Sequence, residues 1–396
     1  MVASSIVYTV DVTDISFVFT NPRHHVEMML PVARALMSRG KKCQLISLAE
    51  LRGLESPREL DVPVKRAIPL AVRKSPSAGS SEGATNAGGN RLRHLAQRAV
   101  SAMLVPRTMQ LVGRSQVVVV PNDWVFPYDG LVKALRDRAA VVLMQEGIRL
   151  VTPNGDAYGT SGLAALCAWG EGSADFFRVR GVDPRVIRVT GTPRLDALDP
   201  SSWTARGAEL LTKLGLRKPP IAFLSNPIEI QGYGTRHGKL ELFQSMLEEA
   251  EPFLRERDLD VIVKNHLHED PQEYARAAAK TRAADRVKVL TDVPLFSALA
   301  AAGAGIVLTS TVGLEALMFG KPIASLEIPS HGFGFEYVER GAAVGLRSGS
   351  IAAGLAEMLD HAATRKEIGD RFVERHVFQR GRATANVADV LTQLLA

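Results

Sequence analysis

Short runs of β-branched and apolar residues alternate along this chain with amphipathic stretches, and no other feature constrains the fold as tightly. Runs that are apolar throughout, such as Val117–Val120 and Ala140–Met144, must be covered on both faces, which places them in the middle of parallel sheets flanked by helices. Strands over 15–20, 43–48, 163–168 and 186–190 complete a first set. The polar turn Asn21-Pro22-Arg23-His24-His25 leads from the first strand into a helix over 26–39, which Gly40 stops. After Asp199-Pro200 the pattern restarts. A helix over 204–214 and the Lys218-Pro219-Pro220 crossing lead to strands over 221–225, 260–264, 287–290, 305–309 and 322–326. From Ser350 onward the pattern is helical.

A chain of 396 residues is too long for one ordinary core and suits two. The predicted fold class is therefore α/β, with two Rossmann-like, doubly wound domains facing a central cleft. The first spans residues 1–200 and the second 201–375, and residues 376–396 form a C-terminal helix that packs back on the first domain. Such sheets bind ligands beyond the carboxyl ends of their strands. The Ser/Gly/Ala/Asn-rich segment 74–90 is expected to be a mobile loop at the cleft.

Composition narrows the function classes. No stretch reaches the ~20 uninterrupted apolar residues of a membrane span, and no basic n-region opens the chain. Cys43 and Cys167 both sit in apolar runs, which predicts buried thiols and a cytoplasmic protein. The net charge of +6 suits anionic ligands such as nucleotide phosphates, or a weak attraction to an anionic membrane surface. The basic residues are scattered without interleaved aromatics, so no nucleic-acid partner is expected. The densest cluster, Arg91, Arg93, His94 and Arg98, reads as the solvated face of a helix.

Residues with chemical potential cluster where the predicted strands end. Ser310, Thr311 and Gly313 open a helix that carries Glu315, and a helix start offers backbone N–H groups to an anion. The two hydroxyls can add donors, Gly313 permits close backbone approach, and Glu315 is placed for ribose hydroxyls. Lys264 and His266 follow another strand, and Glu146 follows the 140–144 strand in Met144-Gln145-Glu146-Gly147. His24 and His25 occupy the first strand-to-helix loop, and Asp123 follows the 117–120 strand. A carboxylate or neutral imidazole at such a position can take a proton from an acceptor hydroxyl. His331-Gly332-Phe333-Gly334 reads as a flexible flap, and Gly191 and Pro193 as turn residues beside Arg194, a cleft contact.

These segments carry a resemblance. Thr309-Ser310-Thr311-Val312-Gly313-Leu314-Glu315-Ala316, followed by Gly320-Lys321-Pro322, resembles the donor-site helix of GT-B glycosyltransferases, above all the capsule and surface-polysaccharide branch, with kinship to nucleotide-sugar 2-epimerases. Val263-Lys264-Asn265-His266-Leu267-His268-Glu269 is similar to the Lys-x-His-Pro-x-Glu segment of capsule enzymes, CDP-glycerol transferases and bacterial sialyltransferases, with Leu267 in place of the proline. Gln145-Glu146-Gly147 is similar to the acidic-acidic-Gly motif of the sialyltransferases, with glutamine at the first position. The resemblance implies a bacterial, metal-independent transferase whose substrate is a nucleotide sugar and which needs no cofactor. The second domain would hold the donor through Lys264, His266, Ser310, Thr311, Gly313 and Glu315. The first would take a glycan or small-molecule acceptor, with His25, His24, Glu146 or Asp123 as base or acceptor contact. A 2-epimerase, a CDP-polyol phosphotransferase and a non-catalytic binding partner are the alternatives. Oligomeric state, stereochemical outcome and the donor base are not readable from these residues.

Overall fold

The structure, a computed structural model, describes residues 13–68, 90–150, 152–153, 157–267 and 269–395. The first sheet contains β1 (Ile15–Phe19), β2 (Cys43–Ser47), β3 (Val64–Arg66), β4 (Val117–Val120), β5 (Ala140–Met144), β6 (Ala165–Ala168) and β7 (Ile187–Val189). Its strands are all parallel in the order β3-β2-β1-β4-β5-β6-β7. The second contains β8 (Ile221–Leu224), β9 (Val261–Lys264), β10 (Val287–Val289), β11 (Ala304–Val307), β12 (Ile323–Leu326) and β13 (Ala343–Leu346). These are parallel in the order β10-β9-β8-β11-β12-β13. Both orders reverse beside their first strand, at β1/β4 and β8/β11, and the loops leaving those strands diverge to open a crevice.

Twelve α-helices cover the sheets among the described residues. They are α1 (His24–Ser38), α2 (Asn90–Val112), α3 (Tyr128–Leu135), α4 (Glu171–Val179), α5 (Thr204–Leu214), α6 (Arg236–Arg257), α7 (Pro271–Ala278), α8 (Leu295–Ala301), α9 (Val312–Met318), α10 (Ile351–Asp360), α11 (Ala362–His376) and α12 (Ala383–Gln393). Helix α1 buries Val26, Met29, Val32, Ala33 and Leu36, one face of a 3.6-residue period. Helix α6 starts where Thr235 accepts the Gly238 amide at 3.0 Å. It buries Lys239, Phe243, Met246, Leu247, Ala250, Phe253 and Leu254.

The chain crosses back after the second sheet. Gly170 makes this possible, since a Cβ there would stand 2.4 Å from the Arg375 carbonyl oxygen. The Phe378 amide donates to the Trp169 carbonyl at 2.8 Å. Asp196 then caps α12 by accepting from the amides of Ala383 at 3.0 Å and Thr384 at 2.6 Å. Val387, Ala388 and Leu391 join the core that α1 and β1 build.

Two strands have no counterpart in the sequence pattern. β3 is a three-residue edge strand with two charged residues, and β13 is interrupted by Gly345, so neither carries an apolar run. Cys43 and Cys167 are buried thiols, each pushed up to about 12 by burial. Of the basic cluster, Arg98 is exposed on α2, and the side chains of Arg91, Arg93 and His94 lie outside the described residues. The segment 74–90 lies outside the described residues except for Asn90, which starts α2. The 331–334 segment is pinned rather than free. Ile328 and Gly332 exchange backbone hydrogen bonds of 2.8 and 2.9 Å, and Gly334 is pressed against Thr309. No helix among the described residues is long and apolar enough to cross a membrane.

Candidate active site

The loops leaving β1, β4 and β5 converge on one carboxylate. Asn21 Oδ1 accepts from the amides of Arg23 and His24, both at 3.0 Å, and so turns the chain into α1. That turn aims the backbone amides of Thr20 and Asn21 at His25 Nδ1, at 3.3 and 3.2 Å. With Nδ1 accepting, the proton of the neutral ring sits on Nε2, which donates to Glu146 Oε2 at 2.9 Å. The other oxygen, Oε1, accepts from Asn122 Nδ2 at 2.9 Å. Asn122 is itself fixed, because its Oδ1 accepts from the amides of Trp124 and Val125 at 3.1 Å each. His24 Nε2 donates to the Glu146 carbonyl at 2.8 Å. Tyr158 accepts the Glu146 amide at 3.1 Å and donates to the Pro121 carbonyl at 2.7 Å.

Burial alone would raise the Glu146 carboxyl. The hydrogen bond from His25, the Asn122 amide and the Arg149 guanidinium outweigh it and hold the group well below the usual carboxylate range. His24 moves the other way. Burial, the Arg194 charge and the neighbouring His25 bring it down to about 4. Near pH 7 it is a neutral imidazole whose Nδ1 has no hydrogen bond among the described residues.

Gln145 explains why the first position of its motif is an amide. Its Nε2 donates to the Gly147 carbonyl at 2.7 Å and to Ser173 Oγ at 2.8 Å, while its Oε1 accepts the Trp169 amide at 2.9 Å. Only an amide supplies both polarities. Asp123 is turned away from Glu146. Its buried carboxylate accepts the amides of Gly159 at 2.8 Å and Ser161 at 3.1 Å, and burial raises it.

Across the cleft stands the turn from β11 to α9. Thr311 Oγ1 accepts the Ile148 amide at 3.4 Å, so this turn touches the loop that carries Glu146. Ser310 Oγ accepts the Val312 amide at 3.2 Å. Gly313 lies flat against Tyr337, whose ring would be 2.8 Å from a Cβ, and the Tyr337 hydroxyl donates to the Ser310 carbonyl at 3.0 Å. Glu315, read in the sequence as a ribose contact, is buried and ion-paired with Arg194 from the other domain. Thr309 Oγ1 accepts from Asn226 Nδ2 at 2.9 Å and donates to Gln231 Oε1 at 2.6 Å.

Lys264 is half-buried at the end of β9; burial lowers it, against the charges of Asp292 and Glu269. The His266 backbone amide donates to Glu269 Oε2 at 2.8 Å. Glu269 is the buried hub of this loop. It accepts from Ser225 and Tyr274 at 3.0 Å each and pairs with Lys239, which also reaches Glu229 at 2.9 Å. Leu267, at the position of the motif proline, points to solvent with 75% exposure.

Sequence reasoning assigned no role to Asn122, Arg149, Lys239 or Glu269. Lys239 left one signal, since it falls on the apolar period of α6 where a charge must find a buried partner. Asn122 and Arg149 left none beyond their nearness to strand ends.

The comparisons agree with this geometry at the level of fold. Residues 228–333 match the family described as capsule polysaccharide biosynthesis protein. The chain is similar to MnaA of S. aureus, solved with UDP, at 14% identity and a TM-score of 0.65, covering 97% of each chain. It is similar to the UDP-GlcNAc 2-epimerase of Methanocaldococcus jannaschii, solved with UDP-GlcNAc and UDP, at 13% identity and a TM-score of 0.64, covering 96% of this chain and 99% of that one. It is also similar to the wall teichoic acid polymerase TagF, at 13% identity and a TM-score of 0.55, covering 97% of this chain and 89% of that one. A search among curated proteins found no match. The fold is GT-B, shared by glycosyltransferases and the 2-epimerases, and over 228–333 the chain resembles proteins of glycan biosynthesis.

Proposed function

We propose that the protein is a metal-independent glycosyltransferase that moves a sugar from a nucleotide-activated donor to a hydroxyl or amine acceptor, in the making of a cell-surface glycan or a secondary metabolite. The observation that carries this reading is the contact of two dissimilar surfaces across the cleft. One is the His24, His25, Glu146 cluster, and the other is the Ser310–Thr311 turn, joined to it through Ile148. In this reading the turn, with Lys264 and His266, takes the donor phosphates, and their fixed dipoles and charges stabilise the departing nucleotide. Gly313 and Tyr337 hold the turn in shape. Glu315 acts through Arg194, keeping the two domains together.

The acceptor proton goes to Glu146 or to the open Nδ1 of His24. His25 is a positioning residue, because both of its ring nitrogens are already engaged. In the free protein both candidate bases are weak, and arginine charges help to make them so. A bound diphosphate offsets those charges and raises both.

A thermal-shift series with UDP, dTDP, GDP, CDP and CMP tests the donor half, since a ligand that binds only the folded state raises the midpoint by mass action. One selective response, lost in the Ser310→Ala/Thr311→Ala double variant, is expected. An unchanged response in that variant refutes the phosphate placement. A 2-epimerase is the second reading, favoured by full-length similarity to such enzymes. Inverting C2 requires breaking its C–H bond, so the purified protein incubated with UDP-GlcNAc in heavy water would then incorporate deuterium without any acceptor. Glycosyl transfer leaves that position untouched.

A further inference from the structure

Between α4, the 333–340 segment and the end of α11 lies a cavity of about 830 Å³, within the usual range for small-molecule sites. It adjoins the reaction centre, because Arg149 on its wall stands three residues beyond Glu146 and Gly334 abuts Thr309. Its chemistry differs from the rest of the surface. Arginines elsewhere are mostly spent on carboxylates, such as Arg34 on Asp61 and Arg257 on Asp360. Here Arg149 and Arg180 make no ion pair among the described residues. Each guanidinium lies instead over an aromatic ring, Arg149 on Tyr158 at 4.0 Å and Arg180 on Phe176 at 5.2 Å. Arg347 lies over Phe333 at 4.8 Å, with Glu327 3.5 Å away. Stacking fixes the plane of a guanidinium and leaves N–H groups available for an oxyanion; in Arg149 these are the terminal Nη groups, because Nε donates to the Gly147 and Ile148 carbonyls at 3.2 and 3.1 Å. Two of the three wall carboxylates are already paired, Asp175 with Arg178 and Arg375, and Glu336 with Arg340, with His376 Nε2 at 2.8 Å; the third, Glu339, is exposed and has no ion pair among the described residues. The apolar part of the lining comprises Leu150, Phe176, Phe333, Phe335 and Val338, and Val179 stands 88% exposed at the rim.

We propose that this cavity binds an organic oxyanion, a phosphate or carboxylate attached to an aromatic or aliphatic body. The charge meets Arg149, Arg180 and Arg347, and the body rests on Phe176, Val179 and Phe333. Its assignment as the acceptor's subsite rests on the glycosyltransferase reading, whereas the binding itself does not. Calorimetric titration with phenyl phosphate, and with inorganic phosphate beside it, tests the site. Phenyl phosphate binds more tightly than inorganic phosphate to the unaltered protein. Its affinity falls roughly tenfold in Arg180→Gln and in Val179→Asp, as for the loss of one charge-assisted contact. Val179→Asp changes only an exposed side chain, so its loss of binding is not a loss of folding. UDP response in both variants stays at the unaltered level. No binding of phenyl phosphate, or equal affinity in both variants, overturns the proposal. Phenyl phosphate binding in a protein that answers no nucleotide sustains the site and refutes the donor reading alone.

Discussion

His24 offers a perturbation whose size follows from its surroundings. Its imidazole is brought down from 6.5 to about 4 by burial, by the charge of Arg194 and by His25. Between those values the unfolded chain binds a proton that the folded chain refuses, so stability rises with pH across the interval. The stabilisation is complete above the unfolded value and is lost as pH falls toward the folded one. A displacement of this size corresponds to about 3 kcal/mol. His24→Gln removes the titration while Gln Nε2 can still donate to the Glu146 carbonyl. Unfolding midpoints of both proteins, taken from neutral pH down to about pH 4, isolate His24 from every other titrating group. The expected result is that the parent loses about 3 kcal/mol more than the variant. Parallel curves would refute the reasoning, as would an NMR titration that finds the His24 ring changing charge at its unperturbed value. Because Arg194 is the second cause of the shift, Arg194→Met should move the His24 midpoint upward in the same NMR experiment.

Other substitutions test the packing around the cleft. Arg194→Met leaves Glu315 buried without its cation and should cost about 3–5 kcal/mol in unfolding free energy, with much of the loss recovered in the double variant with Glu315→Leu. Lys239→Met strands Glu269 and Glu229 and should cost a similar ~3–5 kcal/mol, reduced when Glu269→Gln is added. Gly334→Ala would put a Cβ 2.0 Å from Thr309 Cγ2, and Thr309 cannot rotate without breaking its bonds to Asn226 and Gln231. A loss of about 1–3 kcal/mol is expected, read by thermal unfolding. Gln145→Glu restores the acidic motif yet removes the donor to the Gly147 carbonyl and Ser173, so it should lower stability at neutral pH by about 1–3 kcal/mol.

The two parallel, helix-covered sheets were legible because a parallel strand covered on both faces must be apolar at every position, and β4 and β5 are apolar throughout; the order of strands within each sheet left no such mark. Strand ends were less legible. The 305–309 reading overran β11 because Leu308 and Thr309 remain buried after the ladder stops at Val307. Burial continued past pairing, and composition reports only burial. β3 was missed for the converse reason. Its residues are paired at an edge, where Lys65 and Arg66 face water.

At the site, position along the chain revealed which residues reach the cleft and not what they do there. Gln145 and Glu146 are neighbours at one strand end, and successive side chains point to opposite faces. Gln145 therefore ties down the core around Trp169, and Glu146 meets the histidines. The division between His24 and His25 has the same origin. They share a turn, but only His25 lies where the Thr20 and Asn21 amides converge, so its tautomer is fixed while His24 keeps an open nitrogen. The charges that weaken His24 and Glu146 as bases come from Arg194, far along the chain, and from Arg149, three residues beyond Glu146. On the proposed reading this distribution is functional. Both groups remain poor proton acceptors while the cleft holds only arginines, and gain basicity when an anionic donor arrives between the domains. The base is then ready only when the leaving group is in place, a coupling that no single motif along the chain could encode.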